Sequence, residues 1–347
     1  MIPRLNISFP IKSMFNFFFG KKYIPKRNEY LLNHARSGII LLLRTLFPNG
    51  CRVGVMAYNC HTIANAVVNA GSIPCFIDVT SDLKIDMEYL MKQDIDVLIL
   101  TNLFGIRNNV EQIRKAKPNL VIIVDNAHGY GLPIEGDYVV YSINQGKFPS
   151  IGEGGILIDN SNNSDLDVIN NSLMRETLLN NYNKLSSYTF IMSVKLFIMM
   201  LLKSLMYLSS VYSLLTKNLK KSKSQNNQKE EKLLKMCGGV SRMYNLNLSS
   251  INEQISNQIK NAENIKTELI SQENVQSAWY GENAFMLIVK TTDIEKLKEY
   301  FLRKGIETET HFKNAILWAK EFGYKEGQCP ITEKLVDRLL MIPTYKL

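Results

Sequence analysis

Two residues near the middle of the chain have the chemistry of a covalent catalyst. Lys147 closes the run Tyr141-Ser142-Ile143-Asn144-Gln145-Gly146-Lys147, just ahead of Gly152-Glu153-Gly154-Gly155. A lysine amine attacks a carbonyl only when it is deprotonated, which a partly desolvated site favours. The flanking glycines let backbone approach a ligand closely. Asp125 directly follows the apolar run Val121-Ile122-Ile123-Val124 and precedes Asn126-Ala127-His128-Gly129. A carboxylate at the end of a buried strand needs a cation or hydrogen-bond donors. Taken singly, each has an ordinary reading, a surface lysine and an acid capping a turn.

As a pair they fit the needs of pyridoxal 5'-phosphate. That cofactor takes a lysine for its aldehyde and an acid at its ring nitrogen, which keeps the ring an electron sink. Its phosphate also needs backbone amides, hydroxyls or arginine at a helix start. Ala35-Arg36-Ser37-Gly38, ahead of the apolar run Ile39–Leu46, offers Arg36, Ser37 and such amides, and Ser142 offers another hydroxyl. The same four residues could equally be a plain N-terminal cap.

The elements that must hold these residues are short apolar runs at 53–57, 73–77, 97–100, 120–124, 138–141 and 156–158. Segments of helical length separate most of them, such as 61–70, 86–93 and 108–116. Strands with no polar alternation, separated by helices, predict a largely parallel sheet covered on both faces, with ligands beyond its carboxyl edge. Later in the chain the patterns predict helices over 248–271 and 293–303, a strand over 285–289 and a closing helix over 331–340. The resulting division is an N-terminal extension (1–27) expected to be irregular, a large domain (28–237) with an apolar and basic helical insertion near 185–235, and a small C-terminal α/β domain (238–347).

The chain has 347 residues, a formal charge of +9 and five cysteines without paired spacing, which points to a reduced, cytoplasmic setting. The clump Met14–Phe19 has neither the length nor the cleavage site of an export signal. Thr189–Leu215 is apolar but interrupted by Lys195 and Lys203, and Lys217, Lys220, Lys221 and Lys223 follow. Such a block can lie in a membrane interface with its ammonium groups turned outward, giving peripheral contact through 189–216 on the inner face of a membrane. Alternatively it is a helical hairpin packed on protein. Nucleic acid is not expected as a partner, since no aromatic residue interrupts 217–235.

From about Asn33 to Ile158 the sequence resembles the DegT/DnrJ/EryC1/StrS aminotransferases. Ser142, Ile143, Lys147 and Gly152–Gly155 match that family's Ser-Phe-three residues-Lys and Gly-Glu-Gly-Gly elements. Asp125, Ala127 and His128 match its Glu-Asp-x-Ala-His/Gln element, with Val124 in place of the Glu. Val55–Cys60, Leu103-Phe104-Gly105 and the segment from Cys329-Pro330 to Ile342-Pro343 correspond to further elements in the right order. The resemblance implies a fold-type-I pyridoxal-phosphate enzyme, a homodimer with its active site at the subunit interface, and transfer of an amino group from glutamate to a nucleotide-linked keto-sugar for surface polysaccharides. It implies that Lys147 forms the Schiff base, Asp125 holds the pyridinium, His128 and Cys60 contact the ring, and Ser142, Arg36 and Ser37 hold the phosphate.

Three positions depart from the pattern. Cys60-His61 stands where many relatives place an aromatic ring, Val240 replaces an Asn that reaches a partner's phosphate, and Arg36 replaces a Thr. A catalytically silent, membrane-associated scaffold is the rival reading these changes leave open. A related sugar dehydratase would carry His in place of Lys147.

Overall fold

Apolar runs that alternate between two cores build the main sheet. In the computed structural model, which describes residues 11–163, 166, 172–208, 230–269 and 271–345, seven strands form it. They are β1 (Glu29–Leu32), β2 (Arg52–Met56), β3 (Ile73–Ile77), β4 (Val97–Thr101), β5 (Val121–Asp125), β6 (Tyr138–Ser142) and β7 (Gly155–Asp159), in the order β1-β7-β6-β5-β4-β2-β3. The strands from β3 to β6 run parallel, β7 is antiparallel to β6, and β1 is antiparallel to β7. Leu98, Leu100, Ile122 and Val124 enter one core, while Val97, Ile99, Val121 and Ile123 enter the other. Both faces are therefore buried, which is why the strands read as unbroken apolar runs.

This topology gathers chemistry on one edge. The carboxyl ends of β1, β2, β4, β5 and β6 and the amino end of the reversed strand β7 all lie there. Helix α1 (Ile11–Phe19) precedes the sheet; α2 (Ala35–Leu46) follows β1 and α3 (His61–Asn69) follows β2. Where β7 meets the start of α2 the backbones touch: a Cβ on Gly155 would lie 2.2 Å from the His34 carbonyl carbon. Glycine is needed there.

Helices α4 (Met87–Met91) and α5 (Val110–Ala116) join the central strands, and α6 (Ser172–Asn183) and α7 (Phe190–Leu208) follow β7. Helix α8 (Gly238–Asn247) leads to α9 (Ile251–Leu269), then β8 (Val275–Tyr280), β9 (Met286–Thr291), α10 (Ile294–Arg303), α11 (Ala315–Lys320), α12 (Pro330–Leu335) and β10 (Leu339–Pro343). The last three strands form an antiparallel sheet in the order β10-β9-β8. Leu287 and Val289 pack with Leu269 and Phe301 from the helices, whereas Met286 and Ile288 face the main core. Period-two alternation thus ties the small sheet to its own helices and to the large one.

Two expectations change. The extension is not irregular throughout, because Ile11–Phe19 is helical and Phe17 is buried against α8, where a Cβ on Gly239 would meet its ring at 2.5 Å. The closing helix stops at Leu335, and Leu339–Pro343 is a strand. All five of those residues are buried, as a strand covered on both faces requires. Of the apolar block, Phe190–Leu208 is helical; the tract 209–229, with Lys217 to Lys223, lies outside the described residues.

Candidate active site

Lys147 and Asp125 face one cavity of about 160 Å³ at the carboxyl edge of the main sheet. Its walls also include Arg36, Cys60, His128, Ser142 and Phe312. Asp125 ends β5 and is 2% exposed. Its carboxylate accepts from the Ala127 amide at 3.0 Å and the Thr101 hydroxyl at 3.2 Å. Among the described residues no cation stands within ion-pair distance of it. Burial raises its pKa, against those two bonds and the pull of Lys147. A buried carboxylate of this kind gains from a cation placed in the cavity.

Lys147 sits on the loop after β6, and its Nζ is 2.7 Å from Nε2 of His128. Burial lowers the Lys147 pKa, opposed by Cys60 and Asp125. The His128 pKa falls well below the ordinary histidine value through burial, then through Lys147 and His311. The tautomer follows from the other ring nitrogen: Nδ1 accepts from the Phe104 amide at 3.3 Å. Nε2 therefore carries the proton and donates it to a neutral lysine amine. The ring is held by stacking on Phe104 (centroids 5.1 Å apart) and Phe285 (4.9 Å).

The remaining residues divide into those at the cavity and those behind it. Ser142 ends β6 and lines the cavity. Ser37, in the first turn of α2, is fully enclosed behind the wall, and its hydroxyl has no partner among the described residues. His34, at the N-cap of α2, makes no side-chain capping bond, so the first amides of α2 remain free of one. Arg36 is at the cavity, but its Nε pairs with Glu231 at 2.9 Å. Cys60 caps α3 and accepts from the Thr62 hydroxyl at 3.2 Å. Its pKa falls to about 7: burial opposes the change, and the His61 ring, the protonated form of Lys147 and Thr62 outweigh it.

His61 does not replace the missing aromatic ring, since it packs on Trp318 at 5.1 Å and is not in the cavity wall. Phe312 supplies a ring from the C-terminal part of the chain, at a left-handed φ of 64°. Val240 is fully buried in the main core.

The sequence pattern of the DegT/DnrJ/EryC1/StrS aminotransferase family matches residues 21–186 and 214–347. The chain belongs to this family. It is a pyridoxal-phosphate-dependent aminotransferase of fold type I. Solved structures with this fold include Spr1654 of Streptococcus pneumoniae, assigned as a sugar aminotransferase, in its PLP form (14% identical, TM-score 0.72, 99% of this chain and 94% of that one). Sugar aminotransferase CalS13 of Micromonospora echinospora is likewise 14% identical, with a TM-score of 0.70 over 100% of this chain and 96% of that one. DesI, solved in the presence of its TDP-sugar product, is 15% identical, with a TM-score of 0.68 over 99% and 87%.

The cavity of this aminotransferase fits its cofactor on its own geometry. A desolvated amine and an acid lacking a cation share one wall system, and the start of α2 brings amides and Arg36 to the same cavity. Phe312 and Glu231 are the members that sequence reasoning missed. Phe312 lies far from Asp125 along the chain, and Glu231 lies in a tract that reads as solvated.

Proposed function

We propose that this enzyme transfers an amino group from glutamate to a keto-sugar carried on a nucleotide, and that its product enters surface polysaccharide synthesis. The observation that carries the chemistry is the neutral-amine contact between Lys147 and His128, in a cavity shared with Asp125. The substrate class is supported by the relatives: DesI is described with a TDP-sugar product, and CalS13 is a sugar aminotransferase. A homodimer, with residues 28–237 as the large domain and 238–347 as the small one, completes the reading.

When bound, pyridoxal phosphate supplies an aldehyde and an electron-withdrawing pyridine ring. Asp125 would hold the positive charge of the ring nitrogen. The amides at the start of α2, with Arg36 and Ser142, would hold the phosphate, whereas Ser37, enclosed behind the wall, does not line that end. Lys147 would supply the amine for the aldehyde and the group that holds or moves a proton beside it. His128 fixes that amine in its neutral form, while Phe312 and Cys60 narrow the cavity against water. This arrangement favours catalysis over the scaffold reading, because an inert relative has no use for a buried neutral lysine.

A panel of nucleotide keto-sugars incubated with the purified enzyme and glutamate tests the proposal. Formation of 2-oxoglutarate with at least one of them is expected. Turnover with none, by protein that is yellow with cofactor, would remove the substrate assignment and leave the cofactor chemistry intact.

A further inference from the structure

The family match leaves two stretches uncovered, 1–20 and 187–213, and α1 and α7 lie within them. Far apart in sequence, these two helices pack together. The Phe197 ring of α7 packs at a tilt against Phe17, with centroids 5.1 Å apart, and edge-on against Phe18, at 5.0 Å. Helix α7 is apolar on two faces. Leu196 and Met200 are buried in the main core, whereas Ile191, Lys195, Ile198, Met199 and Leu202 follow helical spacing along the exposed side. Phe15, Phe19, Phe190 and Ile191 are 70, 83, 78 and 74% exposed. A continuous apolar surface of this kind marks an interaction site.

Its electrostatics narrow the partner. Neither helix contains an acidic residue. Beside them opens a cavity of about 560 Å³, walled by aromatic rings and by Lys22, Lys235 and Arg242, with no carboxylate in its lining. The Lys22 amine and the Arg242 guanidinium converge over Gly238, lying 3.5 and 3.8 Å from where its Cβ would be. Arg242 also donates to the Phe17 carbonyl at 3.1 Å, which fixes it to the end of α1. Among the described residues none of the three cations pairs with an acid. A symmetric contact of this face with itself in a second copy would bring no acid to these cations. An apolar face rimmed by cations is complementary to a bilayer bearing phosphate headgroups.

We propose that α1 and α7 form a docking surface for an anionic phospholipid bilayer, with the phenylalanines entering the interface and a lipid phosphate held by Lys22, Arg242 and Lys235. No helix among the described residues is long and apolar enough to cross a membrane, so contact lies in the membrane plane. Helix α7 also touches the catalytic loop: the Gln145 side chain donates to the Met200 carbonyl at 3.2 Å.

Flotation of the holoenzyme with vesicles tests this, independently of the sugar used. The enzyme is expected to float with phosphatidylcholine vesicles containing phosphatidylglycerol, not with phosphatidylcholine alone, and to be released by salt. Phe15→Asp/Phe19→Asp, which alters only exposed side chains, should abolish flotation and keep the yellow colour. Lys22→Gln and Lys195→Gln should each weaken binding by about fivefold. Equal binding to both vesicles, or to neither, overturns the proposal. So does a fall to half the mass by light scattering in the Phe15→Asp/Phe19→Asp variant, which would show that a second copy covers the face. Release by inorganic phosphate, but not by chloride at equal ionic strength, would identify a soluble phosphate ligand and also overturn it.

Discussion

The Lys147 amine stands 2.7 Å from Nε2 of His128, and the Phe104 amide occupies the other nitrogen of that ring. The histidine can then only donate to the lysine, so the amine's lone pair accepts the ring N–H and the amine is neutral. Lys147→Ala removes both the carbonyl nucleophile and the proton carrier. Purified variant with added cofactor should lack the yellow colour of the wild type, and turnover should fall by more than about 10³-fold. A variant that stayed yellow and active would place the chemistry on another residue.

His128 should also make cofactor-free protein sensitive to acid. Its folded pKa lies well below 6.5, so between that value and 6.5 the unfolded chain binds more protons than the folded one. Stability is thus fully present above about pH 6.5 and is lost as pH falls through the folded value. In His128→Gln this loss should be shallower, read as the urea midpoint between pH 7.5 and 4.5, a window of about this histidine range. Parallel pH profiles for the two proteins would mean that another group governs the acid limb.

The positions of Asp125, Ser142 and Lys147 were legible because an all-apolar run must be buried on both faces, and the residue that ends it must lie at a sheet edge. Helix α2 was legible for the same reason, with its start extended to Ala35. Other features depend on contacts that no local pattern encodes. β1 is only four residues long, and β8 is half exposed, so neither stands out as an apolar run. His61 adjoins Cys60, but it begins α3 and its ring turns toward Trp318. Phe312 reaches the cavity through a left-handed backbone on a distant loop, and Glu231 reaches Arg36 because Leu234 is bonded across to Asn33.

Cys60 should react as a thiolate near neutrality. With its pKa at about 7, alkylation by iodoacetamide in cofactor-free protein should rise through about pH 7, well below the ordinary thiol range. Bound cofactor fills the same cavity and should slow the reaction. The site is read by mass spectrometry of the modified peptide, since Cys51 and Cys75 have raised values and Cys329 is buried. A rate that climbs only with the alkaline cysteines would show that the His61 and Thr62 contacts do not stabilise the thiolate.

Glu231 competes for the cation that the phosphate end of the cavity needs. Its carboxylate is 2.9 Å from Arg36 Nε and 3.7 Å from His34 Nε2, and its own amide donates to Asn69. A dianionic phosphate near the start of α2 must share Arg36 with this acid or draw it away. The pair is partly exposed, so its worth is a fraction of a kcal/mol to about 1 kcal/mol. Glu231→Gln keeps the shape and most hydrogen bonds while removing the charge. Cofactor-free protein carrying it should bind pyridoxal phosphate up to about fivefold more tightly, measured by the rise of the yellow band on titration. Weaker binding would instead mean that Glu231 orients Arg36 toward the phosphate, because loss of the carboxylate would then cost the cofactor its arginine.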